Sequence, residues 1–217
     1  MMNNYGHEIE RELEDLRCGL DVLGIKHNEK IIQKFRVYLD VLFKKRNELH
    51  LLSHQDYKRI SKRHFLTSLM AFDHIKGHSR VCDIGSGAGF PSMPLKIMDP
   101  QIDLTLIEAQ GKKVDFLKFL IKELAYNDVN IVYQRVEDYS DNMFEIVLLK
   151  AVGKIKKLIG SVDRLLEPGG KAIFYKTLSV EKELSQLNLQ NFHVKLEKRI
   201  TPLEHAPLAL VILYKNK

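Results

Sequence analysis

Apolar residues recur at helical spacing along the N-terminal third of the chain. Ile32, Phe35, Leu39 and Leu42 lie three or four positions apart, which is the period of one face of an α-helix. Asn28 stands where its side chain can cap the first turn of that helix. The pattern predicts this helix, a shorter one before it over residues 8–23 that ends at Gly24, and another over about residues 56–75 that ends at Gly77.

After Gly77 the pattern changes to short β-branched and aromatic runs that alternate with amphipathic stretches. Strands that alternate with helices are typical of right-handed crossovers and a mostly parallel sheet. The predicted strands are residues 80–84, 103–108, 129–134, 144–149 and 171–176. The predicted helices among them are residues 94–98, 112–124, 155–166 and 180–187.

The end of the chain differs, because residues 192–200 and 206–214 are two strand-like runs with no helix between them. This pattern predicts a terminal hairpin, so the last strand should be antiparallel to its neighbours. We therefore expect an α/β fold, Rossmann-like, with a mostly parallel seven-stranded sheet. We expect residues 80–217 to form one compact unit and residues 1–79 to form a helical N-terminal extension.

Composition narrows the class of protein. The chain has 217 residues, of which 45% are hydrophobic and 29% charged, so it can bury a core. No apolar run approaches the ~18–20 residues that cross a bilayer, and residues 1–21 lack the apolar core of a signal peptide. Cys18 and Cys82 are too few for a disulfide framework, and we expect both to be buried in a reducing cytoplasm.

The net charge of +6 is unevenly distributed. Residues 44–64 contain seven Lys and Arg residues against two acids. This local excess predicts either contact with phosphates or only a solvated helix face, and both interpretations stay open at this point. With no HExxH motif and no CxxC pair, the sequence predicts no metal site.

A glycine-rich loop, residues 83–91 (DIGSGAGFP), follows the first predicted strand of the sheet and precedes a helix. Its three glycines, Gly85, Gly87 and Gly89, allow positive φ angles and a close approach of a ligand to the backbone. The following helix presents free N–H groups to an anion. Doubly wound sheets bind nucleotides at such a first strand–helix turn.

Glu108 lies 23 residues after Gly85, at the end of the second predicted strand. An acid at this place can accept hydrogen bonds from both hydroxyls of an adenosine ribose. The alternative is a surface acid that caps the next helix.

Two nucleotide cofactors are compatible with this loop, a dinucleotide and S-adenosylmethionine. Asp83, two residues before the first glycine, would repel a pyrophosphate but would favour the ammonium group of a methionine tail. The glycine spacing also departs from G-x-G-x-x-G. Both observations favour S-adenosylmethionine.

Residues 47–177 resemble the RsmG (GidB) family of bacterial methyltransferases, which modify a guanine N7 in small-subunit ribosomal RNA. The resemblance rests on an ordered set of short stretches and not on the glycine loop alone. The stretches are residues 47–51 (NELHL), 63–64 (RH), 67–69 (TSL), 81–91 (VCDIGSGAGFP), 106–108 (LIE), 112–113 (KK), 116–117 (FL), 135–137 (RVE), 150–152 (KAV) and Lys176.

The resemblance implies a class I methyltransferase that uses S-adenosylmethionine and acts on 16S ribosomal RNA or a subunit assembly intermediate. It further implies a cytoplasmic protein with no membrane contact, and we expect a monomer. The implied cofactor-binding residues are Gly85, Gly87, Phe90, Glu108, Val136, Glu137 and Lys150. The implied RNA-binding residues are His64, Arg135 and Lys176.

Three positions depart from the family's pattern. Ser92 stands where the family usually has glycine, Lys150 stands where it usually has arginine, and Thr177 replaces the glycine of a Lys-Gly pair. Lysine cannot make the planar bidentate contacts of a guanidinium, so Lys150 is the departure with the largest expected effect on activity.

No catalytic pair of residues emerges from the sequence, and the implied reaction needs none. N7 of a neutral guanine carries a lone pair and no proton, so no general base is required, and alignment of the two reactants can supply ~7–11 kcal/mol. Two alternatives stay open: the same fold and cofactor acting on a small molecule or a protein, and a binding protein without turnover.

Overall fold

The computed structural model describes residues 5–49, 51–75 and 80–217. Its centre is a seven-stranded sheet with the strand order β3-β2-β1-β4-β5-β7-β6, in which β7 is antiparallel to both of its neighbours. The strands are β1 Arg80–Ile84, β2 Asp103–Glu108, β3 Val129–Tyr133, β4 Phe144–Lys150, β5 Leu166–Lys176, β6 Phe192–Ile200 and β7 Pro207–Lys215. The predicted parallel sheet and terminal hairpin are confirmed.

The register of the sheet brings several strand ends together. Ile84 of β1 lies between Ile107 of β2 and Leu149 of β4, and all three strands run parallel. The carboxyl ends of β1, β2 and β4 therefore meet at one edge. The chain order also reverses at β1, which is the place where open α/β sheets bind ligands.

Helices cover both faces of the sheet, because alternate residues of each strand point to opposite sides. Leu104 and Leu106 of β2 belong to a hydrophobic cluster shared with the N-terminal helices. Ile107 belongs to a second cluster, shared with α8. The helices are α1 Gly6–Val22, α2 Glu29–Leu49, α3 His54–Tyr57, α4 Thr67–Leu69, α5 Phe72–Ile75, α6 Ser92–Met98, α7 Gly111–Glu123, α8 Ile155–Leu165 and α9 Val180–Leu184.

The first two helices follow the sequence pattern closely. Asn28 Oδ1 accepts a hydrogen bond from the Ile31 backbone N–H at 3.0 Å, so the predicted cap of α2 is confirmed. Gly24 follows α1 with a φ of +65°, as expected of a glycine after a helix end. The expected burial of Cys18 is wrong, because this cysteine is exposed. It lies two positions from buried Leu16 on the helix, and therefore on a different face.

The single helix predicted over residues 56–75 is wrong. The segment contains α3, a π-helical turn over Ser61–Leu66, and the short helices α4 and α5. Side-chain oxygens there bond backbone groups and compete with a regular helix: Ser68 Oγ donates to His64 O at 2.5 Å, and Glu12 Oε2 accepts from Ser61 N at 2.7 Å. The predicted helix end at Gly77 lies outside the described residues.

The N-terminal helices and the sheet share one hydrophobic cluster, which contains Phe35 of α2 and Leu104 of β2. The expected boundary between extension and sheet unit falls at residues 76–79, outside the described residues, so this division stays a prediction. Within the described ranges, no helix is long and apolar enough to cross a bilayer.

Candidate cofactor-binding and active site

The glycine loop connects β1 to α6 at the carboxyl edge of the sheet. Gly85, Gly87 and Gly89 have φ angles of +68°, +58° and +90°, a region that favours glycine. A Cβ added at Gly87 would meet only Gly85 O, at 3.8 Å. The space beside Gly87 is therefore open, and a ligand can approach the backbone there.

Glu108 holds this loop from the neighbouring strand. Its Oε2 accepts a hydrogen bond from Gly87 N and its Oε1 accepts one from Gln110 N, each at 2.9 Å. The side chain is buried, so it is not the surface acid of the alternative interpretation. A carboxylate has about four acceptor sites, and two are left for ribose hydroxyls. That role for Glu108 stays a prediction.

Asp83 is the last residue but one of β1 and is fully buried beneath the loop. Burial raises the pKa of its carboxyl to about 7, against the opposing effect of hydrogen bonds from Ser92. Ser92 Oγ donates to Asp83 Oδ2 at 2.5 Å, whereas Oδ1 has no hydrogen-bond partner among the described residues. Ser92, where the resemblance implies glycine, thus supplies the main hydrogen bond to this carboxyl.

A cavity of about 630 Å³ opens in front of the glycine loop, within the ~300–1,000 Å³ of typical ligand pockets. One wall consists of the loop with Lys113, Lys150 and Ala151. The opposite wall comes from the N-terminal region. The N-terminal lining residues are Leu51, Leu52, Ser53, His54, Asp56 and His64.

Three predicted site residues meet inside the cavity. The Lys150 Nζ atom lies 5.2 Å from the centre of the Phe90 ring and has no hydrogen-bond partner in the described structure. His64 stacks on Phe90 with ring centres 4.8 Å apart. Phe90 therefore contacts both Lys150 of the sheet and His64 of the N-terminal region.

Burial also decides the charge of these groups. It lowers the pKa of Lys150 to about 7, against the attraction of Asp83. It lowers the pKa of His64 to about 3, helped by repulsion from Lys150. His64 is therefore neutral at pH 7, and its buried Nε2 atom makes no hydrogen bond within the described residues, with Asp56 Oδ1 3.7 Å away.

Five predicted site residues do not line this cavity, and Glu108, which holds the loop from β2, is one of them. Arg135 and Glu137 are exposed, and Val136 is buried in the second hydrophobic cluster. Lys176 donates to Gly153 O and lies 3.7 Å from the Glu183 carboxylate. Their assigned contacts with cofactor and RNA stay predictions.

Sequence reasoning assigned no site role to residues 51–56, which form much of the second wall. The available signal was the Ser53-x-x-Asp56 spacing of a capping box: Asp56 N donates to Ser53 Oγ at 3.1 Å. This cap begins α3 within the second wall, because Ser53, His54 and Asp56 are themselves lining residues.

The expected absence of a metal site also stays a prediction. His50 and His54, like His74 and His78, have the four-residue spacing of helical metal ligands. His50 and His78 lie outside the described residues. Among the residues that the structure describes, no three His, Cys, Asp or Glu side chains are grouped to hold a metal ion.

Solved structures with the same architecture identify the fold. A methyltransferase from Pyrococcus furiosus aligns with 85% of this chain and 99% of its own at a TM-score of 0.60 and 16% identity. A precorrin-6y C5,15-methyltransferase from Geobacter metallireducens covers 76% of this chain and 91% of its own, at a TM-score of 0.55 and 18% identity. The fold is that of the Rossmann-like class I methyltransferases, as predicted.

Sequence comparison gives the family. A family model described as GidB, rRNA small subunit methyltransferase G, matches residues 31–210. Proteins named Ribosomal RNA small subunit methyltransferase G are similar: that of Streptococcus thermophilus is 33% identical over 79% of this chain and 76% of its own. That of Neisseria meningitidis is 30% identical over 94% of this chain and 98% of its own. The chain belongs to the GidB family and is a methyltransferase.

S-adenosylmethionine is the methyl donor of this family, and the residues present fit it. The open space at Gly87 accepts a ligand against the backbone. The methionine end of the cofactor carries an ammonium and a carboxylate group. Buried Asp83 and Lys150 each keep an unpartnered polar atom within the described structure, and their charges are complementary to those two groups.

Proposed function

We propose that the protein transfers a methyl group from S-adenosylmethionine to N7 of a guanine in 16S ribosomal RNA, either free or in an assembly intermediate of the small subunit. The supporting observation is the two-walled cavity, with the glycine loop on one side and residues 51–56 with His64 on the other. We propose that it acts in the cytoplasm, where ribosomes assemble. The monomeric state stays a prediction.

The cavity suits a reaction that depends on alignment. When bound, the cofactor supplies an electrophilic methyl group on a sulfonium. Asp83 and Lys150 beside the loop would hold the methionine end of the cofactor. His64, which stacks on Phe90 and lines the cavity, would offer a flat face to a base that has been turned out of its stack. His64 is neutral at pH 7 and therefore does not repel the sulfonium.

The test is methyl transfer from labelled S-adenosylmethionine to small-subunit RNA from a strain that lacks the corresponding gene. We expect one methyl group per RNA, mapped by mass spectrometry to a 7-methylguanosine. Deproteinised RNA and immature subunits are compared as substrates. Transfer to another base, or only to a small molecule or protein, would contradict the proposed substrate.

The basic stretch at residues 44–64 is less available to RNA than its sequence suggests. Several of its bases form ion pairs, and Arg59, Lys62 and Arg63 pair with acids distant in sequence. The pairs are Lys45–Glu48 at 2.7 Å, Lys62–Asp15 at 3.0 Å, Arg63–Asp56 at 3.2 Å and Arg59–Glu204 at 3.2 Å. The local charge excess is therefore partly neutralised within the fold.

A second group of bases follows Lys150 at the carboxyl edge of the sheet. Lys154, Lys156, Lys157 and Lys182, here named the edge lysines, are exposed. None of the four forms an ion pair with any described residue. Three of them lie at the start of α8, where Ile155 N donates to the Glu183 carboxylate. Their exposed side chains can contact RNA phosphates.

We expect neutralisation of the edge lysines (Lys→Gln at all four) to weaken RNA binding by roughly 10- to 100-fold at 0.15 M salt. The slope of log affinity against log salt should fall by about 3, at ~0.7–0.9 per phosphate contact. Replacement of Lys58, Arg59, Lys62 and Arg63 by Gln should reduce RNA affinity and its salt slope less than replacement of the edge lysines does. Filter binding over a salt series measures both.

Exposed Lys26, Lys30, Lys118 and Lys122 on α2 and α7 and in the turn before α2 provide a control with the same change of net charge. Their replacement by Gln should leave the salt slope nearly unaltered. An equal loss of RNA affinity in the control and edge variants would show that only net charge matters. That result would reject the edge lysines as the RNA-binding face.

A further inference from the structure

A buried tyrosine on α2 contacts the glycine loop from below. Tyr38 is fully buried, and its hydroxyl donates to the Ala88 carbonyl oxygen at 2.5 Å. A Cβ added at Gly89 would lie 2.6 Å from the Tyr38 hydroxyl oxygen, so the close approach depends on glycine at this position. The loop that forms the first wall of the cavity is therefore tied to the N-terminal region through Tyr38.

The ring of Tyr38 also acts on the second wall through Phe90. It stacks on Phe90 with ring centres 5.5 Å apart and planes 14° apart. His64 stacks on Phe90 with ring centres 4.8 Å apart. Phe90 thus contacts Tyr38 and His64, and the position of Tyr38 bears on both walls at once.

We propose that Tyr38 is a positioning residue for the cofactor loop. Its hydroxyl fixes the Ala88 carbonyl, and thereby the conformation at Gly87 and Gly89 that leaves the backbone open to a ligand. Its ring packs against Phe90 and holds that side chain in place, and Phe90 in turn stacks on His64. Tyr38 itself does not line the cavity, so it acts through these neighbours and not by touching substrate or cofactor.

Two other buried tyrosines provide controls that distinguish an effect on the cofactor loop from a general loss of stability. The Tyr175 hydroxyl donates to Ser68 O at 2.7 Å, an equivalent bond between the sheet and the N-terminal region that does not involve the loop. The Tyr57 hydroxyl is buried with no hydrogen-bond partner among the described residues. A change of each tyrosine to Phe keeps its ring and removes only its hydroxyl.

The experiment is titration of the three Tyr→Phe variants with S-adenosylhomocysteine by calorimetry, alongside thermal unfolding without ligand. We expect Tyr38→Phe to weaken binding by about 5-fold, since one hydrogen bond to the loop is lost. Tyr38→Phe and Tyr175→Phe should lower the melting temperature by similar amounts, because each loses one buried hydrogen bond. Tyr175→Phe should leave the affinity for S-adenosylhomocysteine unaltered. Tyr57→Phe should change neither quantity appreciably.

Unaltered affinity in Tyr38→Phe would overturn the proposal. So would an equal loss of affinity in Tyr175→Phe, because any loosening of the contact between N-terminal region and sheet would then suffice. The titration contains no RNA, so its outcome is independent of whether the proposed guanine substrate is correct.

Discussion

Gly87→Val is expected to abolish cofactor binding while the protein stays folded. Gly87 has a φ of +58°, where a β-branched residue costs about 1–2 kcal/mol. Its added side chain would also occupy the open space beside the loop, into which the ligand must fit. The two effects together should weaken S-adenosylhomocysteine binding by at least ~100-fold, equivalent to about 2.7 kcal/mol, as measured by calorimetry.

Gly24→Val is the matched control for this prediction. Gly24 has a φ of +65° and nothing within 4 Å of an added Cβ, so it carries the same backbone strain far from the cavity. Both variants should lose similar stability in thermal unfolding, and only Gly87→Val should lose the ligand. If Gly87→Val binds like the parent, the cofactor does not lie over this loop.

The strands were predictable because each carries a local signal. Val81, Leu104 and Ile146 lie in short β-branched or apolar runs bounded by turns, and residues in parallel strands are buried on both faces. The helical region was predicted less well. Local periodicity cannot show that Glu12 binds Ser61 N from another helix, and such contacts accompany the π-helical turn that replaces the predicted helix.

The candidate site was predictable only where residues lie close in the sequence. Gly85, Gly87 and Phe90 belong to one loop and follow from its glycine spacing. The second wall depends on where α2 and residues 51–56 pack against the sheet, which is a tertiary effect. The same limit applies to the pairing of Lys62 with Asp15, because counting charges along the chain does not reveal partners that are distant in sequence.

Two residues that the resemblance marks as departures lie around one carboxyl group. Ser92, where the resemblance implies glycine, donates its hydroxyl to Asp83 Oδ2. Lys150, where the resemblance implies arginine, attracts Asp83 electrostatically and makes no hydrogen bond within the described residues. A guanidinium has five donors where an ammonium has three. In this structure the hydroxyl of Ser92, and not the ammonium of Lys150, donates to the carboxyl.

The burial of Lys150 makes stability depend on pH. The pKa of Lys150 is about 7 in the folded protein and about 10.4 when unfolded, so between these values the unfolded chain binds a proton that the folded one does not. The free energy of unfolding must therefore rise with pH across this window because of Lys150. Lys150→Met, which has no titrating group, should lack that rise in denaturant titrations.

Lys150→Ala should reduce methyl transfer by roughly 10- to 100-fold, the loss expected for one hydrogen bond to a charged group. Lys150→Arg should keep the activity. Arginine stays charged at all working pH values, whereas Lys150 loses its proton above about pH 7. The ratio of cofactor affinity in Lys150→Arg to that in the parent should therefore increase as the pH rises from 7 to 9.

The double variant Ser92→Gly with Lys150→Arg, which restores the family pattern, decides whether the two positions are coupled. Ser92→Gly alone removes the hydroxyl bonded to Asp83 and should weaken cofactor binding, and arginine should recover that loss if it takes over the carboxyl. Non-additive effects in this cycle are the expected result. Additive effects would show that Ser92 and Lys150 act separately, and full activity in Lys150→Ala would remove Lys150 from the site altogether.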